Sequence, residues 1–368
     1  MPSCHLDRAK PGWAADRSRR PVRRRSRFRA WGWLGTLALL LLPAPKLAAA
    51  DATTGGGWYC QTLNLLVEND LVSGADRHFT HGMQASCLSA ADDIPDLALR
   101  AAAQIPLFDI AGAKRFGYAL GQNMYTPSDI QSRQLIKSDR PYAGWLYGSV
   151  ALISEARDVD GSKHVDRLET IDLDVGIIGP ASLAEQVQTN WHSLIGVATP
   201  KGWNNQLRNE PGIDLVYVRK WRIHDLFPLG PLEFDLTPHL AGSLGNVETY
   251  AAAGGTVRIG GHLEDDYGPP RIRPALPGSG FFHGDGFAWY FFAGVEGRAV
   301  ARDIFLDGNT FARSHSVDKE PFVGDLQAGF ALIYRDVRFA YTQIYRTKQF
   351  HGQSDPDRFG SFSLSVKF

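Results

Sequence analysis

Beyond residue 50 the chain contains no uninterrupted apolar run of eighteen residues, which excludes a helical membrane protein. It has no Gly-x-Ser-x-Gly elbow, so a serine nucleophile of the α/β-hydrolase kind is unsupported. Neither His-Glu-x-x-His nor Cys-x-x-Cys occurs, which removes the usual zinc signatures. Cysteine is scarce, at three residues, and Cys4 lies in a basic leader, so only Cys60 and Cys87 are left to pair. Export would permit a disulfide, but strand parity sets these two on opposite faces and none is expected. No Pro- or Ser-rich linker and no repeat array interrupts the chain, so residues 51–368 read as one domain.

Residues 1–50 read as a cleavable export signal. Arg and Lys crowd the stretch from Arg8 to Arg29, an apolar segment runs from Trp31 to Pro43, and Ala48-Ala49-Ala50 supplies small residues before Asp51. As a membrane anchor the apolar segment is short for a bilayer. The 39 basic and 39 acidic residues balance only because of this leader. The remaining chain is modestly acidic, which argues against nucleic acid as a partner.

What the chain does have is alternation. Ile171, Leu173, Val175 and Ile177 share one face of an extended segment, and Thr170, Asp172, Asp174 and Gly176 share the other. Leu232, Phe234, Leu236, Leu240 and Leu244 alternate with Glu233, Asp235, Thr237, His239 and Ser243. Val337, Phe339, Tyr341 and Tyr345 alternate with Arg338, Ala340, Thr342 and Arg346. Faces of Gly, Asp, Arg and Thr suit a crowded, wet barrel lumen. The chain ends in a strand with Phe362, Leu364, Val366 and terminal Phe368 on one side, similar to the assembly signal of bacterial outer-membrane barrels.

The predicted strands are 60–69, 79–89, 114–125, 143–156, 165–178, 211–223, 231–246, 250–262, 286–303, 321–334, 336–347 and 358–368. Twelve is an even number, so the expected fold is an all-β transmembrane antiparallel barrel with both termini in the periplasm. The long connection near 263–285 is then periplasmic, while those near 70–78, 126–142 and 179–210 emerge at the external rim. Those three carry the densest chemistry.

Asn69 and Asp70 end the first strand and offer hard oxygens suited to Ca²⁺, although such residues also populate ordinary turns. In the second connection, Lys137 and Arg140 are cations placed to meet phosphate or a developing oxyanion. Tyr142, Trp145 and Tyr147 read as an aromatic girdle. The third connection departs from period two. Leu183, Val187, Trp191 and Leu194 recur at helical spacing and Gly196 sits at the stop position, predicting a short amphipathic helix against the lipid surface. His192, near its end, is the best-placed general base. His, Asp, Asn, Lys and Thr together suit a His-activated water attacking an ester polarised by Ca²⁺.

Val-Glu-Asn-Asp, Asp-Arg-His-Phe-Thr-His-Gly, Asp-Arg-Pro-Tyr-Ala-Gly-Trp-Leu-Tyr, Val-Gly-Ile-Ile-Gly-Pro-Ala and Lys-Gly-Trp-Asn-Asn-Gln-Leu follow one another along the chain. In this order they resemble the lipid A 3′-O-deacylases of Gram-negative outer membranes. The resemblance implies a twelve-stranded barrel that removes the 3′-linked acyloxyacyl chain from lipid A with Ca²⁺, by chemistry similar to secreted phospholipase A2. Residue by residue, it implies metal ligands at Asn69 and Asp70, a catalytic Thr80, the base His192 and the lysine Lys137. It further implies an integral outer-membrane protein whose site faces the external leaflet, with lipopolysaccharide as substrate. The sequence does not give the oligomeric state, for which a monomer is favoured. The alternatives are a barrel without enzymatic activity, such as a narrow channel, and an outer-membrane phospholipase.

Overall fold

A computed structural model describes residues 60–70, 78–105, 108–162, 164–227, 230–273, 278–284 and 286–368. The expected export signal, 1–50, lies outside the described residues. Twelve strands form a closed antiparallel barrel in which each pairs with its chain neighbours and the last pairs with the first. They are β1 (Thr62–Asn69), β2 (His78–Leu88), β3 (Ala113–Thr126), β4 (Ala143–Ala156), β5 (Val165–Ile178), β6 (Glu210–Ile223), β7 (Glu233–Gly245), β8 (Glu248–Gly261), β9 (Phe287–Asp303), β10 (Phe322–Tyr334), β11 (Val337–Arg346) and β12 (Asp357–Lys367). Each expected strand is present. Helix α1 (Asp96–Ala102) lies between β2 and β3, and α2 (Ala184–Ile195) between β5 and β6. No helix among the described residues is long and apolar enough to cross a membrane.

The alternation sorts side chains as a barrel wall requires. Leu173, Val175, Ile213, Leu215, Leu240, Phe291, Val295 and Leu326 are exposed on the outer surface, while Asp172, Asp174, Asp214, His239, Glu296, Arg298 and Asp325 are buried in the lumen. Charges taken from water must find partners, and here they do. Asp325 accepts from Arg298 Nη1 at 3.1 Å and from Arg346 Nε at 2.8 Å, and His239 Nε2 lies 2.9 Å from Glu296 Oε2.

Of the connection from β8 to β9, expected on the periplasmic side, the described residues 262–273 and 278–284 reach into the lumen. Asp266 is its anchor: Arg258 Nη1 (2.5 Å), Arg338 Nη1 (2.8 Å) and Tyr290 Oη (2.7 Å) all donate to it. Arg271 reaches Glu68 Oε1 on β1 at 2.6 Å and Gln327 Oε1 on β10 at 2.8 Å, and Arg273 pairs with Asp172 on β5. Lys220 Nζ and Asn64 Nδ2 donate to the carbonyls of Gly278 (2.6 Å) and Gly280 (2.8 Å). This segment is a plug, and a cavity of about 140 Å³ remains beside it. Its length is explained by what it fills.

Two expectations fail. Cys60 and Cys87 form a disulfide. Cys87 is the cross-strand partner of Leu63, but Cys60 precedes the first residue of β1, where alternation no longer dictates direction. The aromatics assigned to a lipid-facing girdle are also buried instead. Trp145 and Tyr147 stack on each other, and Tyr147 Oη accepts from Gln84 Nε2 at 3.1 Å, while Tyr142 packs against Trp203. Register decides this: Trp145 and Tyr147 pair with Asn123 and Gly121, in the lumen-facing rows of the wall.

Candidate active site on the outer wall

Directly paired residues on neighbouring strands share a face, so the register locates each candidate. Glu68 pairs with Gly82 and turns inward to Arg271 on the plug. Asn69 and His81, one step along, form the next pair and face outward. They are bonded, with Asn69 Nδ2 3.0 Å from His81 Nδ1. An amide nitrogen only donates, so Nδ1 is the acceptor and the His81 proton sits on Nε2.

A bulge lies between Phe79 and His81, where the pairing with β3 slips by one residue. Such an insertion turns two successive side chains toward the same side, and here it brings Thr80 out beside His81. Thr80 Oγ1 lies 2.6 Å from Thr126 Oγ1. Immediately before the bulge, His78 holds φ 67°. That left-handed conformation is unfavourable for a residue with a Cβ, and it is held by Asp357 Oδ1, 2.5 Å from His78 Nδ1, and by the edge of Phe350.

Helix α2 packs on the neighbouring stretch of this wall, against β3 and β4. Its buried residues are Ala184, Gln188 and His192, spaced four apart on one stripe. The expected apolar stripe is not the buried one: Leu183 and Leu194 are exposed and Trp191 is half-buried. Ala184 and Val187 pack with Met124, Tyr142 and Trp203, and Trp203 Nε1 donates to Gln188 Oε1 at 2.9 Å. Gly144 permits the approach, because a Cβ there would overlap Ser182 and Ala184. The helix ends where the sequence places its stop, with Gly196 at φ 72°.

His192 is almost wholly buried, at 1% exposure, and its Nδ1 lies 2.7 Å from the Ala198 carbonyl oxygen. A carbonyl only accepts, so Nδ1 carries a proton, and in the neutral ring Nε2 is the basic nitrogen. His192 stands within electrostatic reach of His81, the residue bonded to Asn69. Asp70 is buried next to Asn69. Asn69, Thr80 and His81 thus share the outer face of the wall, and His192 lies on the buried face of the helix. Lys137 is exposed on the β3–β4 connection, and among the described residues no hydrogen bond or ion pair ties it to this group. Arg140 is buried elsewhere, over the ring of Tyr125 and bonded to Gln349. His81 and Gln188 were not singled out from sequence. The signal for Gln188 was its spacing of four from His192, whereas that for His81 depends on a bulge no periodicity reveals.

A family model described as "Outer membrane protein LpxR" matches residues 34–368. The chain belongs to the LpxR family. The solved structure of LpxR from Salmonella typhimurium is similar in fold, with a TM-score of 0.66 and 21% identity, covering 83% of this chain and 100% of that one. The β domain of the Bordetella autotransporter BrkA has a TM-score of 0.42 and 8% identity, covering 84% of this chain and 99% of that one. No curated protein matches. An LpxR-family barrel is an integral outer-membrane protein, so the exposed Leu, Val and Phe of its strands face lipid.

Proposed function

We propose that this chain is a calcium-dependent lipid A 3′-O-deacylase whose site opens sideways into the outer leaflet. The observation that carries the reading is the tautomer of His192. Its Nδ1 proton is committed to Ala198, which leaves Nε2 of this buried ring free to act as the base. Membership of the LpxR family supports lipid A as the substrate. The exposed Leu183, Leu194, Ile195 and Val197 around α2 give an apolar approach suited to acyl chains.

His192 Nε2 takes a proton from water as the water oxygen bonds to the ester carbonyl carbon. The bond from that carbon to the glucosamine 3′-oxygen then breaks, the proton passes to that oxygen, and a free acid and a 3′-hydroxyl are released. The donor set fits Ca²⁺. The Asn69 amide nitrogen is engaged by His81, which orients the carbonyl oxygen as its ligand atom, and Asp70 adds a carboxylate of the same hard character. When bound, the ion supplies a Lewis acid that polarises the ester carbonyl. Thr80, positioned by Thr126, orients water or substrate. Lys137, on a solvent-facing loop, meets a phosphate of the headgroup.

The plug counts against an open channel. Mass spectrometry of lipid A from an outer membrane expressing the protein, with and without Ca²⁺, tests the proposal. Loss of one 3′-acyl group is expected with the intact chain and not with His192→Ala. Release of fatty acid from glycerophospholipid with lipid A unchanged would overturn the substrate. Full activity in His192→Ala would overturn the mechanism.

A further inference from the structure

We propose that the periplasmic end of the barrel carries a transition-metal site made by His164, His224 and Asp225, separate from the outer-wall site at the opposite end. The wall itself brings the two imidazoles together. Val165 begins β5, Ile223 ends β6, and these residues are cross-strand partners. His164 and His224 continue the ladder by one step, with His224 N–H donating to the His164 carbonyl at 3.0 Å. Their rings stand side by side with centroids 6.0 Å apart. Asp225 then takes φ 57° and folds its carboxylate back between them. Asp225 Oδ2 is 2.8 Å from His224 Nδ1 and 3.6 Å from His164 Nδ1.

These spacings bracket those of a single coordination sphere, with Asp225 and His224 at hydrogen-bond distance. A tetrahedral zinc ion with bonds near 2.1 Å holds its ligand atoms about 3.4 Å apart, and the three donor atoms here all lie within 4.8 Å of one another. Two borderline imidazole nitrogens beside one hard carboxylate oxygen select Zn²⁺, Ni²⁺ or Cu²⁺ over Ca²⁺. The other ring nitrogen of His224 faces Asp166 Oδ2 at 3.6 Å, and Arg222 holds Asp166 in place. An outer carboxylate of this kind orients a metal-bound histidine. His164 and Asp225 keep side-chain exposures of 53% and 64%, so the remaining coordination position is open to water. A second cluster, Glu233, His262 and Glu264, has one imidazole. Both oxygens of Glu233 there already accept backbone N–H groups, from His262 at 3.2 Å and Leu263 at 2.7 Å.

The test is isothermal titration of the detergent-solubilised, chelator-treated full chain with ZnCl₂. One site with micromolar affinity is expected. His164→Ala and His224→Ala should each weaken it by at least about ten-fold, whereas His262→Ala should leave it unchanged. Heat-modifiable gel mobility of each variant confirms that the barrel has folded. Absence of Zn²⁺ binding by the intact protein would overturn the proposal. Undiminished binding by the folded His164→Ala/His224→Ala double variant would also overturn it, since the metal would then sit elsewhere.

Discussion

Arg271→Ala should loosen the plug at the point where it meets β1, the strand that ends in Asn69. The Arg271 and Glu68 side chains are 2% and 1% exposed. Glu68 Oε1 accepts from Arg271 Nε at 2.6 Å and from Ile272 N at 3.2 Å, and Oε2 receives a weaker bond from Nη2 at 3.4 Å. Removing the guanidinium leaves a buried carboxylate with one backbone donor. Breaking such a pair costs about 3–5 kcal/mol, whereas replacing both partners with neutral groups of similar size is often nearly neutral. The double variant Arg271→Met/Glu68→Gln should therefore recover most of the loss, which makes the pair a test of coupling. At about 1.4 kcal/mol per factor of ten, the single variant shifts the docked plug by roughly two to four orders of magnitude. Thermal unfolding, followed by heat-modifiable mobility in detergent, reads the stability, and planar-bilayer recording reads any opening of the lumen. The reasoning is refuted if Arg271→Ala unfolds at the wild-type temperature, or if the double variant is as unstable as the single.

Four other outcomes follow from the geometry. His192→Ala should lower the lipid A deacylation rate by about 10²–10⁴-fold, the usual range for a general base, without changing thermal unfolding beyond the loss of one buried side chain. His81→Ala should raise the Ca²⁺ concentration needed for half-maximal activity, because the Asn69 amide loses the partner that orients it; an unchanged Ca²⁺ dependence would remove His81 from the site. Gly144→Val should separate α2 from the wall and abolish deacylation while the barrel still folds, checked by the same gel shift. Cys60→Ser should cost about 2–4 kcal/mol in thermal unfolding, with activity retained in the folded fraction.

The period of two was enough to place the strands: every expected boundary lies within two residues of an observed one. That signal is local, since each strand must present apolar groups to lipid and polar groups to the lumen along its own length. Parity, which follows from strand count alone, put the Asn69, Thr80 and His192 segments at one end. It could not choose the face, because one inserted residue inverts everything beyond it. The bulge at Thr80 is such an insertion, and it decides that Thr80 and His81 look outward together. The helix shows the same limit. Leu183, Val187, Trp191 and Leu194 made a readable apolar stripe, but the stripe that is buried runs through Ala184, Gln188 and His192, because the surface outside a barrel wall is lipid and the polar stripe is the one that needs covering. The plug was legible only as an oddly long connection. Its course is set by Arg258, Arg271, Arg273 and Arg338, whose partners are 8 to 203 residues away in the chain. Alternation along the chain determined the barrel, and the closing of the barrel determined which side of its wall the chemistry is on.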